Sequence, residues 1–124
     1  MPAATLAALV LCATPVAIDG DTIKGCGAHP IRITGIDSPE LPHHCRAGRV
    51  CAPGDPYKAK ASLATLLASG PVYYRPLKTD LYGRTIAAVY VNGTNVSCVQ
   101  LATANAIYKP TWDEKHIIRT ECGL

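Results

Sequence analysis

The sequence predicts an α+β fold, and three observations carry that expectation. Short runs in β pattern, Val16–Thr22, the stretch from Ile31, Val72–Arg75 and Thr85–Val91, are bounded by turn-forming residues. Helical segments with their own start and stop signals lie between and after them. The chain has 124 residues, 48% hydrophobic and 17% charged, enough for a single modest core and too few for two domains.

In chain order, Val16–Thr22 reads as a strand with Pro15 near its start, ending in Asp19-Gly20-Asp21-Thr22, which by itself is an ordinary turn. A second strand runs through Ile23, and Cys26-Gly27 with His29-Pro30 turns the chain into a third from Ile31, giving a meander. On that third strand Arg32 and Thr34 face one way and Ile31 and Ile33 the other, so the guanidinium leaves the apolar face to meet something anionic. Gly35 interrupts the alternation, as a bulge or close backbone approach would, and Pro39 ends the strand with Asp37 and Glu40 at its mouth. Asp19, Asp21, Asp37 and Glu40 are four of only nine acids in a chain of net charge +3, a clustering that a bound cation would explain.

The loop from Pro39 to Gly54 is rich in turn formers and bases, including His43, His44, Arg46 and Arg49; the histidine pair reads as part of a solvated loop, and Arg46 and Arg49 are placed to touch a phosphate backbone, although exposed loop arginines usually meet only water. Asp55-Pro56 is an N-cap with proline at the first helical position and Ser69-Gly70 a stop, with Ala59, Leu63, Leu66 and Leu67 on one face of the helix between. Tyr73 and Tyr74 point to opposite faces of the next strand. Asp80-Leu81-Tyr82-Gly83-Arg84 leads into Thr85–Val91, and Asn92-Gly93 is a hairpin signal. Val96–Ala104 is a second helix, capped by Asn95, with Val96, Val99 and Leu101 mostly inward. Tyr108, Lys109 and Trp112 form an aromatic and basic cluster before a last helix over about Asp113–Thr120, where Thr111 and Glu114 make a capping box.

Six cysteines in so short a chain, without metal-ligand spacing, point to an oxidising compartment. Cys45 and Cys51 are expected to bond to each other, ahead of a zinc site from His43, His44, Cys45 and Cys51; the pairing of the other four is open. Ala3–Val10 has the apolarity of a secretory signal but no cationic start, and cleavage after Ala17 would remove the run before Asp19, so a structural role is expected, with any export signal already trimmed. No apolar run reaches the roughly 18 residues of a membrane span.

Asp19-Gly20-Asp21-Thr22, Arg32, Asp37-Ser38-Pro39-Glu40 and Asp80-Leu81-Tyr82-Gly83-Arg84, in this order and at these separations, resemble the thermonuclease family, that of the staphylococcal-nuclease-like domain. The resemblance runs from about Val16 to Ala106 and implies one such domain over residues 1–124, folded as a five-stranded OB-type β-barrel with about three α-helices. It implies a calcium-dependent nuclease acting on DNA and RNA. Asp21 and Asp37 take the positions of carboxylate ligands to Ca²⁺, with the Ser38 carbonyl as a further ligand and Asp19 nearby. Glu40 takes that of the proposed general base, and Arg32 and Arg84 those of two phosphate-binding arginines that stabilise charge on the phosphoryl oxygens. Tyr82 matches the family motif, and Tyr108 and Trp112 are candidates for nucleotide contact. Leu81 stands where the family often has a lysine. The expectation is a secreted or periplasmic monomer with no membrane anchor and no obligate protein partner. Two other readings are a catalytically silent nucleic-acid-binding module on the same barrel and a disulfide-stapled metal or small-ligand binder.

Overall fold

The computed structural model describes residues 9–124, so most of the Ala3–Val10 run lies outside the described residues. The chain forms β1 (Val10–Cys12), β2 (Val16–Ala17), β3 (Thr22–Lys24), β4 (Ile31–Ile33), β5 (Ile36–Asp37), α1 (Pro56–Leu67), β6 (Val72–Thr79), β7 (Thr85–Val91), β8 (Thr94–Asn95), α2 (Val96–Ala102), β9 (Ile107–Tyr108) and α3 (Ile117–Cys122), with single 3₁₀ turns at Pro110–Trp112 and Glu114–His116. This is the α+β architecture.

The main sheet has the order β1-β6-β7-β4-β3-β2, with β8 added to β7. Its two outer strands are joined in sequence by Ala13, Thr14 and Pro15 alone, so β1 and β2 are two halves of one first strand. One half pairs with β6 and the other with β3, and the sheet curls back on itself. Counted this way, and with the two-residue β8 set aside, the sheet has the five strands of an OB-type barrel, with a parallel contact between β4 and β7 at its centre. The break in the first strand falls at Pro15, which lacks a ladder donor. Across it the Thr14 N–H bonds the Gly25 carbonyl at 3.1 Å, and a Cys12–Cys26 disulfide ties the same two segments.

Alternation along β7 sorts its side chains onto two buried faces. Ala87, Val89 and Val91 join Ile23, Ile31, Ile33, Ile36, Leu63, Val72 and Val96 in the main core. Ala88 and Tyr90 pack on the other side against Ile117 and Ile118 of α3. The first helix starts where expected: the Asp55 carboxylate accepts the N–H groups of Tyr57 and Lys58, and Ala59, Leu63 and Leu67 are buried. Tyr74 turns inward and donates its hydroxyl to the Cys26 carbonyl at 3.0 Å, while Tyr73 stays exposed.

Four boundaries differ from expectation. The strand expected over Val16–Thr22 stops at Ala17 and resumes at Thr22, because Asp19–Asp21 forms a turn. The strand expected to end at Arg75 continues to Thr79; Pro76 is accommodated because the register slips between Pro76 and Lys78. Helix α2 ends at Ala102, short of Ala104; Val96 is buried and Leu101, half-buried, packs against both cores as expected, but the fully buried positions beside Val96 are the polar Ser97 and Gln100. The capping box of Thr111 and Glu114 does not form: Thr34 Oγ1 accepts the Glu114 N–H at 3.2 Å, and the α-helix begins only at Ile117. Its free N–H groups at Ile118 and Arg119 are taken by the Asp113 carboxylate at 2.9 and 3.0 Å.

Candidate functional site

The turn between β2 and β3 is fixed from both sides. The Asp21 N–H bonds Asp19 Oδ1 at 3.0 Å, while the Gly20 carbonyl accepts the side-chain amide of Gln100 at 2.8 Å. Gly20 permits the close packing: a Cβ there would sit 2.6 Å from Ser38 Oγ and 2.7 Å from the Ala59 Cβ. The Ser38 N–H in turn donates to Asp21 Oδ2 at 2.8 Å, which docks the end of β5 onto the turn.

Between these segments lies Arg32. Its Nη2 is 3.2 Å from Asp21 Oδ2 and 3.6 Å from Asp37 Oδ1, and its guanidinium carbon is 5.4 Å from the centre of the Trp112 ring. The arginine and both aspartates are buried. Trp112 is held at this place by backbone bonds to the end of β4, since its carbonyl accepts the Gly35 N–H at 3.1 Å and Thr34 Oγ1 at 2.9 Å. Gly35 adopts φ +77°, and a Cβ there would lie 2.6 Å from Ile118 Cγ1, so the interruption read in the sequence is a close approach to α3.

The electrostatics follow from the crowding. Burial and the neighbouring Asp21 charge push the Asp19 carboxyl up to about 7. Burial and the same neighbour also raise Asp37, against the pull of Arg49 and Arg32. Asp80 moves the other way: although partial burial opposes it, hydrogen bonds from the Arg84 and Tyr82 backbone and from Arg84 Nε hold it below the usual range. Those bonds, 2.9, 2.9 and 2.7 Å long, shape the turn before β7 and aim Arg84.

Asp19, Asp21, Arg32, Glu40, Tyr82, Arg84 and Trp112 line one cavity of about 590 Å³. Asp37 and Ser38 lie buried just behind it, reached through Arg32 and Asp21. Tyr108 does not join them; its hydroxyl is committed to Asp113 Oδ2 at 2.7 Å and its strand pairs with β5. The Cys45–Cys51 disulfide forms, and Cys98–Cys122 ties α2 to α3.

The stapled loop brings Arg49 onto the acids, a partnership that the sequence reading of a phosphate or water contact did not include. Arg49 donates from Nη1 to Glu40 Oε1 at 2.7 Å and places Nη2 3.2 Å from Asp37 Oδ1. Although partial burial works against its charge, the hydrogen bond to Glu40 and the Asp37 charge raise the Arg49 pKa. The signal available in the sequence was the short Cys45–Cys51 spacing around two arginines, which keeps them near Glu40.

The donor chemistry fits a hard divalent cation. Asp21 and Asp37 converge on one point, now taken by Arg32 Nη2, and Ser38 Oγ is a buried hydroxyl with no hydrogen-bond partner. A cation would also relieve the repulsion that raises Asp19 and Asp37. Among the described residues no group of three or more His, Cys, Asp and Glu closes around a common point.

The class is that of a curled OB-type sheet whose cavity gathers acids and arginines. The family model described as "Staphylococcal nuclease homologue" matches residues 30–120, and the chain belongs to that family. Among curated proteins, it is 43% identical over 63 residues to "Probable endonuclease LCL3" of Paracoccidioides lutzii, a match covering 49% of this chain and 16% of that protein. The same name is carried by relatives in Paracoccidioides brasiliensis, 43% identical with 17% of that protein covered, and in Ajellomyces dermatitidis, 41% identical with 19% covered. The chain thus spans under a fifth of the length of these relatives.

Proposed function

We propose that the chain is a calcium-dependent nuclease that hydrolyses phosphodiester bonds in DNA and RNA with low sequence preference. The observation that carries this reading is the meeting of Asp19, Asp21, Glu40, Arg32 and Arg84, drawn from four separate segments, at one cavity. Family membership and the endonuclease names of the relatives support it.

In this reading Asp21 and Asp37, with the Ser38 carbonyl, hold the Ca²⁺, which supplies positive charge beside the phosphate when bound. Arg32 and Arg84 meet the phosphoryl oxygens, and their permanent charge stabilises the negative charge that builds there during attack. Glu40 takes the proton of the attacking water at its carboxylate. Tyr82 lines the phosphate site, Trp112 offers its ring to the flanking nucleotide, and Asp80 aims Arg84. The three disulfides support an oxidising location, secreted or periplasmic. Among the described residues no helix is long and apolar enough to cross a membrane.

The ion pair between Arg49 and Glu40 favours a second reading, in which the barrel binds nucleic acid without cutting it because the base is engaged. Release of soluble nucleotides from heat-denatured DNA, with calcium added or chelated, separates the two. Calcium-dependent release that is absent in Arg32→Ala is the result expected of a nuclease. Binding without release in either condition would leave the silent module.

A further inference from the structure

The loop between Glu40 and α1 carries arginines to which the proposed chemistry gives no task. Arg46 lies with its guanidinium carbon 4.2 Å from the centre of the Tyr82 ring, and its Nη1 donates to the Tyr82 hydroxyl. The same ring stands 5.5 Å from the Arg84 guanidinium carbon. Arg49 reaches the cavity from the far end of the loop, beside Glu40, with its guanidinium carbon 5.8 Å from the Trp112 ring centre. The Cys45–Cys51 bridge closes the chain immediately before Arg46 and two residues after Arg49, so both hang from one small covalent ring. On the Asp80–Arg84 turn, Leu81 is fully exposed and offers no charge.

These positions have a chemical consequence. A guanidinium stacked on an aromatic face is held in place without being neutralised, and its edge N–H groups stay available for a bidentate oxygen ligand. Arg46 meets no carboxylate among the described residues, so the charge that Tyr82 positions is uncompensated. A nucleic-acid strand is a row of phosphates. If one of them sits at Arg32 and Arg84, its neighbour along the strand passes the rim on which Tyr82 presents Arg46. We propose that the 45–51 loop is a second phosphate-binding element, with Arg46 as its contact, while Arg49 stays committed to Glu40 and Asp37 and fixes the other end of the ring. The site then takes a strand with at least two consecutive phosphates in preference to a lone phosphodiester. The inference rests on the nuclease reading of the cavity, and it assigns to the loop the work that a charged residue in place of Leu81 would do.

The test is equilibrium binding of fluorescent single-stranded thymidine oligonucleotides, followed by anisotropy across a salt series with calcium chelated so that nothing is cut. Each phosphate contact on a single strand contributes about −0.7 to the slope of log affinity against log salt. Arg46→Gln is expected to weaken a hexanucleotide and to make its slope shallower by about 0.7, while a dinucleotide with one phosphodiester is unaffected. The Cys45→Ser/Cys51→Ser chain is expected to show the same loss on the hexanucleotide, because the ring no longer holds the arginines at the rim. An unchanged slope in Arg46→Gln beside normal wild-type binding would overturn the proposal and leave the nuclease reading standing. Failure of the wild-type chain to bind either oligonucleotide would overturn both.

Discussion

Gln100 is fully buried on a helix that the hydrophobic pattern assigns to packing, and its replacement tests whether the carboxylate turn is held from behind. Its amide donates to the Gly20 carbonyl at 2.8 Å and the Ala59 carbonyl at 3.1 Å, and its Oε1 accepts Ser62 Oγ at 2.7 Å. Leucine has similar volume, so Gln100→Leu deletes the hydrogen bonds without opening a large cavity. The Ala59 carbonyl keeps its place in the helix ladder, but the buried Gly20 carbonyl is orphaned, at a cost of about 1–3 kcal/mol, and loss of the Ser62 bond adds about 1 kcal/mol. The expected destabilisation is therefore about 2–4 kcal/mol, read as a lowered midpoint in urea at unchanged slope. Ser62→Ala should lose only the smaller part. Because the freed carbonyl belongs to the turn carrying Asp19 and Asp21, calcium affinity measured by calorimetry should fall as well. A Gln100→Leu chain as stable as wild type, with unaltered calcium binding, would refute the view that this amide anchors the turn.

Glu40→Gln is expected to lower turnover about 10²–10⁴-fold, as for loss of a general base, with calcium binding largely retained; wild-type rates of nucleotide release would remove Glu40 from the mechanism. The raised Asp19 carboxyl makes stability fall with pH: a group that binds its proton more tightly folded than unfolded opposes folding as it ionises, so the loss runs from its ordinary 3.8 up to about 7 and is level above. Asp37, raised as well, acts in the same direction, whereas the lowered Asp80 acts only below 3.8. Thermal unfolding with metal chelated should show this decline, and Asp19→Asn should flatten it; an equal decline in the variant would assign the effect elsewhere. Gly35→Ala combines a left-handed backbone with a Cβ 2.6 Å from Ile118 Cγ1, and should cost about 2–4 kcal/mol in denaturant unfolding.

What the sequence made legible was local. The Asp55 cap and Pro56 specify the start of α1 with groups no more than three residues apart, and Asn92-Gly93 specifies its hairpin in the same way. Arg32 could be turned toward acids from alternation alone, because Ile31 and Ile33 have nowhere else to go. The misreadings share a different cause. Thr111 and Glu114 have the spacing of a capping box, but Thr34, 80 positions before Glu114, supplies the acceptor. Pro76 looks like a strand end until the slipped register on β7 accommodates it. Gln100 drew no reading from the sequence, because its partners, Gly20 and Ala59, lie 80 and 41 positions away. For Arg49 the sequence left phosphate and water as the partners, and the acids it meets depend on where the stapled loop folds back over Glu40 and Asp37.

The disulfides join Cys12 to Cys26, Cys45 to Cys51 and Cys98 to Cys122. Of the 15 pairings open to six cysteines, this is the one in which each cysteine bonds the next along the chain. A polypeptide oxidised as it emerges N-terminus first therefore meets every correct partner before any wrong one from a later pair has appeared. Its bridges can form in order of synthesis with no reshuffling step. Refolding of the reduced 124-residue chain loses that order, and all six cysteines compete at once.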